Sequence, residues 1–185
     1  MKNITSLLFG LMLLLAACGD DERTVESSLR YDGDNVTAPT LPPDTYETAA
    51  RFPANVTNDY TGQKLTQVSY YVAETPLQTT LRIYSGGTGS APGQMVYEAT
   101  LTGTITQNAF NAHVLSTPLD ITGEDLWLSI RFRLNRGLQS IGCDAGPGDV
   151  NGDWMYQEST NEWTSFNAFS GGESINWNIR GVVGE

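Results

Sequence analysis

The amino-acid sequence predicts an all-β fold, a sandwich or barrel built from about eight or nine short strands. Three observations carry this expectation. From Leu29 onward apolar and polar residues repeatedly alternate with a period of two; glycine, proline and aspartate turns separate those runs; and no apolar pattern of convincing helical length occurs. The chain has no internal repeat at a fixed period, which disfavours a propeller or a solenoid.

The first element is a leader. Lys2 precedes the apolar run ITSLLFGLMLLL, which ends at Leu15-Ala16-Ala17-Cys18. A basic start, a short apolar core and a small-residue cleavage site make an export signal over residues 1–17. The run is shorter than the roughly 20 residues a membrane-spanning helix needs. Residues 15–18 match the lipobox of bacterial lipoproteins, which implies a lipid on Cys18 and an outer-membrane anchor, because several acyl chains give lasting attachment. Residues 18–28 then read as a lipidated cysteine and a flexible acidic tether. Its cluster Asp20-Asp21-Glu22 resembles the signal by which Bacteroidetes lipoproteins reach the outer face of the outer membrane, the alternative being a plain solvated tether.

The β-domain is expected over residues 29–185. TYETAARF (45–52) suits a strand, or else the chain's one short helix, since glutamate and alanine favour that state. LTQVSYYV (65–72), TTLRIYS (79–85) and QMVYEATL (94–101) follow as strands, with SGGTGSAPG (85–93) as a loop between the last two. FNAHVL (110–115) precedes the clearest strand, DLWLSIRFRLN (125–135). There Leu126, Leu128, Ile130, Phe132 and Leu134 alternate with Trp127, Ser129, Arg131 and Arg133, one side for the core and the other for solvent. DWMYQE (153–158), EWTSF (162–166) and NWNIRGVV (176–183) complete the set.

Charge and cysteine content narrow the function classes. The chain carries a net charge of −11, and loss of Lys2 with the leader makes it −12. Nucleic acid is therefore excluded as an expected partner, since binding it needs a basic patch. With Cys18 lipidated, Cys143 has no intrachain partner and no disulfide framework is possible. A catalytic pairing of Cys143 with the single histidine, His113, is disfavoured because His113 sits in a strand-like stretch where an ordinary packed or exposed role is expected.

The stretch CDAGPGDVNGDW (143–154) places oxygen-bearing side chains at Asp144, Asp149, Asn151 and Asp153. A complete EF-hand is excluded, because Trp154 stands where the loop glycine belongs and Thr160 at the twelfth position counted from Asp149. A looser structural Ca²⁺ site, helped by YDGDN (31–35), competes with simple turn chemistry. Trp127, on the same side as Arg131 and Arg133, is a candidate contact for a glycan or an anionic polymer, with Trp154 as a second. The alternative is that Trp127 packs under a covering strand or loop; Trp163 and Trp177 are expected in the core. Acids at Asp144, Asp153, Glu158 and Glu162 are numerous enough for a glycosidase pair, but there is no nucleophile elbow, zinc motif or phosphate loop.

Taken in order, YDG (31–33), AARFP (49–53), GQKLTQVSYYV, LRIYSGG, LWLSIRF, CDAGP (143–147), EWTSF and NWNIRGVV resemble the jelly-roll domains of Bacteroidetes surface proteins, including the cleaved-adhesin domains of gingipain-type proteases. The resemblance implies a two-sheet antiparallel β-sandwich used for adhesion or for recognition of glycan or protein, often calcium-stabilised and not itself catalytic. The chain departs from the family's setting in carrying its own lipobox and no protease domain. A structural or accessory subunit of an outer-membrane complex is the alternative role.

Overall fold

The computed structural model describes residues 27–184. Its strands are β1 (Ser27–Leu29), β2 (Thr40–Leu41), β3 (Thr45–Phe52), β4 (Lys64–Val72), β5 (Gln78–Thr88), β6 (Ala91–Thr100), β7 (Ala109–Asp120), β8 (Leu126–Arg133), β9 (Leu138–Gln139), β10 (Trp154–Gln157), β11 (Glu162–Ser165) and β12 (Ile179–Gly184). Two short α-helices, α1 (Ala54–Thr57) and α2 (Phe166–Ser170), and a 3-10 turn at Asn58–Tyr60 interrupt them. A four-stranded sheet, β1-β12-β4-β7, and a six-stranded sheet, β11-β10-β3-β8-β5-β6, form an antiparallel β-sandwich, with β2 and β9 as a small separate pair. The expected all-β sandwich is the observed fold. Its first strand starts at Ser27, inside the stretch read as tether, because β1 is recruited by backbone pairing to β12 and the sequence SSL carries no alternation to reveal it.

TYETAARF is a strand, β3, and it occupies an interior position in the six-stranded sheet. Tyr46, Thr48, Ala50 and Phe52 pair with Phe132, Ile130, Leu128 and Leu126 of β8 and point into the sandwich. Glu47, Ala49 and Arg51 point the other way, yet Glu47 and Ala49 are buried too. Small residues on both sides, Thr48 and Ala50 inward and Ala49 outward, are what hide the period of two here. The opposing layer contributes Leu65, Val68, Tyr70, Val72, Ile179 and Val183, with a register shift between Leu65 and Gln67 that moves the buried set from odd to even positions.

The segment SGGTGSAPG is not a loop. β5 and β6 continue through it as a hairpin, with Thr88 opposite Ala91 and Gly87 opposite Pro92. Gly87 has a φ of +111°, and a side chain there would lie 2.5 Å from the Ala91 carbonyl and the Gly93 amide, so glycine is what lets the two backbones run this close.

Gly181 of β12 is the second required glycine, for space between the layers. A Cβ at that position would meet Leu65 Cδ1 at 2.7 Å and Leu128 Cδ1 at 2.9 Å, one atom from each sheet. Overpacking of this kind costs about 1–3 kcal/mol. Gly181→Ala is therefore expected to lower the denaturant midpoint with an unchanged m-value; an equal or higher midpoint would show that the two layers yield at this point.

Candidate functional site

Two regions gather the polar and aromatic residues singled out in the sequence: the loop 143–153 and the outward face of the six-stranded sheet. The loop is built around Asp144, which is buried. Its Oδ1 accepts from the Asn176 and Gly146 amides at 2.7 and 2.9 Å, and its Oδ2 from the Gly33 amide and Asn176 Nδ2 at 3.1 and 2.9 Å. Burial opposes its charge, but the Asn176, Gly146 and Gly33 donors more than compensate and hold its carboxyl below the usual carboxylate range. Asp144 is thus a staple with its lone pairs engaged.

The other three loop candidates have different surroundings. Asp149 Oδ1 accepts from the Asn151 amide at 2.8 Å, which is turn chemistry. Asn151 Oδ1 accepts from Arg51 Nη1 at 2.9 Å, tying the loop to β3. Asp153 is 5% exposed; its Oδ2 accepts from the Asn167 amide at 3.0 Å, whereas its Oδ1 is buried without a hydrogen-bond partner. Burial, with the nearby charge of Asp149, pushes the Asp153 carboxyl up. Asp149 and Asp153 line a common cavity of about 300 Å³ with Ser165, Asn167 and Ser174. The four predicted loop residues therefore do not converge as a set. Among the described residues no three acidic, histidine or cysteine side chains come together as a ready metal cluster.

The outward face of the six-stranded sheet is set by register. Trp127, Ser129, Arg131 and Arg133 of β8 stand beside Arg51, Ala49, Glu47 and Thr45 of β3 on one side and Tyr84, Arg82, Thr80 and Gln78 of β5 on the other. Trp154 and Tyr156 of β10 extend the face, and Trp163 of β11 lies opposite Tyr156. Trp127 does share a side with Arg131 and Arg133, but it is fully buried rather than presented to solvent. Trp154 and Trp163 cover it, with ring centroids 5.5 and 5.7 Å away, and the Arg51 guanidinium lies 5.9 Å from its ring. A ring sealed in this way cannot stack on a sugar. Trp163, expected in the core, is partly exposed on this face instead, whereas Trp177 packs in the hydrophobic core between the sheets as expected, 1% exposed.

Sequence reasoning missed the residue that organises the face. Glu47 is 2% exposed and lies under two guanidiniums, with Oε2 3.2 Å from Arg82 Nη1 and 3.7 Å from Arg131 Nη1. Its Oε1 accepts from Tyr84 Oη at 2.7 Å and from Ser129 Oγ at 2.6 Å. Burial and the Glu47 charge push the Tyr84 hydroxyl well above the usual phenol range, so it stays a donor. Arg131 also pairs with Glu158 at 2.5 Å and lies 5.8 Å from the Tyr156 ring, while Arg82 pairs with Glu98 at 2.9 Å. A glutamate inside TYETAARF carries no signal of this role unless the strand's neighbours and register are known.

His113 and Cys143 have separate partners. His113 Nε2 lies 2.8 Å from Tyr97 Oη, and Cys143 is buried in the core with its thiol pushed up to about 12 by burial. Of the acids near the loop, Asp144 is saturated, Asp153 is buried, Glu158 is engaged with Arg131, and Glu162 is exposed on β11. Cys18 lies outside the described residues.

No family model matches the chain, and no curated protein does. Two solved structures share its fold. One is the clostridial cysteine protease Cwp84 after propeptide cleavage, which aligns over 84% of this chain and 40% of its own with a TM-score of 0.57 and 12% identity. The other is the cysteine protease and lectin-like domains of Cwp84, a surface layer associated protein of Clostridium difficile, with a TM-score of 0.54, 11% identity, and coverage of 83% and 36% of the two chains. This chain thus spans less than half the length of either, and the likeness is one of fold.

Proposed function

We propose that the protein is a non-catalytic, surface-tethered binding module for glycan or protein, and that it binds through the outward face of the six-stranded sheet. The observation that carries this reading is the arrangement of Tyr156 and Trp163, 5.6 Å apart and both partly exposed, beside an Arg131 guanidinium fixed from beneath by Glu47. Aromatic rings supply apolar faces for a sugar or a side chain, and a positioned guanidinium supplies direction. A lectin-like domain is named in one of the two fold neighbours, a surface layer associated protein, and that supports the same reading. The contact assigned to Trp127, which is buried, passes to Tyr156 and Trp163, with Trp154, itself partly exposed on this face, and Arg131 and Arg133 retained. The acidic net charge argues against nucleic acid as a partner.

Tyr156→Ala combined with Trp163→Ala is expected to lower affinity in a glycan or surface-protein binding screen by roughly tenfold or more, since each lost stacking contact is worth on the order of 1 kcal/mol. Unchanged binding to every partner of the parent would remove this face from the proposal. Anchoring through a lipidated Cys18 rests on the lipobox. Cys18→Ser is expected to abolish acylation and release the protein from the outer-membrane fraction; retention there would refute the anchor.

A second role, an accessory subunit of an outer-membrane complex, draws on the open side of the sandwich. β6 and β7 end their sheets and expose Met95, Val96, Phe110 and Val114. Recovery in a stable assembly without affinity for saccharides would select this role over the first.

A structural Ca²⁺ is a proposal supported by one orphaned atom, Asp153 Oδ1. Asp149 and Asp153 line the cavity with Ser165 and Ser174, whose hydroxyl oxygens already accept from the Ala168 and Gly148 amides and would share their remaining lone pairs with a hard cation; Asp144 and Asn151 do not line it. A raised folded-state pKa at Asp153 means a contribution to stability that is present below the unfolded carboxylate value and lost as pH rises through the folded one. Without divalent cations, Asp153→Asn is therefore expected to be at least as stable as the parent at neutral pH. Calcium at about 100 times its Kd would stabilise the parent by about 2.7 kcal/mol, several degrees in Tm, and leave the variant unmoved. No calcium-dependent shift in the parent would end the cation proposal.

A further inference from the structure

Three guanidiniums, Arg82, Arg131 and Arg133, border one depression of about 80 Å³ on the outward face of the six-stranded sheet, together with Thr45, Gln78 and Thr80. Like charges set side by side on a sheet oppose one another. Glu47 relieves the first two from below, because both direct a nitrogen at the same Oε2. Its remaining oxygen is held by Tyr84 and Ser129, so the carboxylate, and with it the pair of guanidiniums, is fixed before any ligand arrives. Arg133, two positions along β8 on the same side, is exposed and has no ion pair among the described residues. Counted with the outer partners Glu98 and Glu158, three carboxylates match the three guanidiniums, but Arg133, at the solvent edge, has no direct ion pair of its own among the described residues.

We propose that this depression is the subsite for the anionic group of an acidic saccharide, a carboxylate or a sulfate ester, whose neighbouring ring extends toward Tyr156 and Trp163. The inference rests on the reading of this face as a glycan-binding surface. Guanidinium forks match the paired oxygens of both groups. The outer partners that Arg82 and Arg131 now hold, Glu98 and Glu158, have side chains 45% and 54% exposed, and exposed ion pairs contribute little, so exchanging them for a ligand oxygen is cheap. The depression is far smaller than the roughly 300–1,000 Å³ of a pocket that encloses a whole small molecule, so it takes one functional group of a larger ligand. Thr45, Thr80 and Gln78 offer hydroxyl and amide partners for the ring substituents beside that group. Arg131 joins the two halves of the face, being a wall of the depression and a neighbour of the Tyr156 ring.

The test is titration calorimetry of the purified protein with galacturonate oligosaccharides, sulfated galactan oligosaccharides, the neutral oligosaccharide of each backbone, and a polyglutamate peptide, at low and at high salt. The acidic saccharides are expected to bind at least roughly tenfold more tightly than the neutral ones, with the preference reduced by salt. Arg133→Glu should abolish the preference and Arg133→Lys should retain part of it, with Tm unchanged in both because the side chain is exposed and unpaired. Whether the galacturonate or the sulfated series is preferred decides which anion the subsite takes. Equal binding of acidic and neutral saccharides, indifferent to Arg133, would overturn the subsite and leave the glycan-binding face standing. Binding of none of the saccharides would overturn both, as would binding of polyglutamate alone.

Discussion

The segment Asn176-Trp177-Asn178, just before the last strand, fastens parts of the chain that are far apart in sequence. Asn176 gives its amide and side chain to Asp144, and its Oδ1 accepts from the Asp149 amide at 2.7 Å. Trp177 donates its indole N–H to the Trp154 carbonyl at 3.0 Å and buries its ring against Phe166. Asn178 donates to Asp32 at 2.7 Å, and Arg180 closes on the same carboxylate at 2.8 Å. One short stretch thus holds the N-terminal loop, the 143–153 loop and the start of β10 to β12. A hydrogen bond to an ionised partner contributes about 1.5–3 kcal/mol, and leaving its buried donor unpaired costs a comparable amount, so these contacts are mutually dependent. With no disulfide possible between Cys143 and another described residue, this polar network does the cross-linking.

The outward face depends on the same fastening. Arg51 can reach both Asp125 and Asn151 because the loop is held against β3, and the backbone amide of Arg51 donates to the Asn151 carbonyl at 2.8 Å. That placement brings Trp154 over Trp127 and completes the aromatic half of the face. Farther along, Glu47 is a buried charge with two guanidiniums and two hydroxyls around it. Burial of a carboxylate is unfavourable unless it is paired and hydrogen-bonded, and here both conditions hold. The effect on the surface is positional: two cations are held in fixed places that exposed, flexible side chains could not keep.

Strands are legible in the sequence where apolar and polar residue types alternate, as in DLWLSIRFRLN, although the structure buries β8 on both faces from Leu126 to Ile130, so the side expected to be wet is covered there. The reading failed where that contrast is absent. β3 carries small residues on both of its sides, so TYETAARF has an ambiguous pattern, and the β5–β6 hairpin runs through glycines whose composition resembles a loop. Alternation gives the side of Trp127 correctly, whereas its burial depends on Trp154 and Trp163, which come from strands two and three places away in the sheet. Sheet order is a tertiary fact with no local signature. The same holds for Glu47 and for the separate duties of Asp144, Asp149, Asn151 and Asp153, which look alike in sequence and differ entirely in their partners.

Topology also bears on how the recognition face would be presented. The described chain enters the sandwich at β1, on the edge of the four-stranded sheet, while the aromatic and arginine cluster lies on the outside of the other layer. With the anchor proposed at Cys18, eight residues lie between it and Ser27, and the nine steps from one to the other span at most about 30 Å. A domain of this length is roughly 40 Å across. If the proposed anchor holds the chain there, a connection shorter than the body it holds would keep the layer through which the chain enters nearer the membrane. The opposite layer, with Tyr156, Trp163 and Arg133 on its outer side, would under that proposal be the one turned away from the membrane.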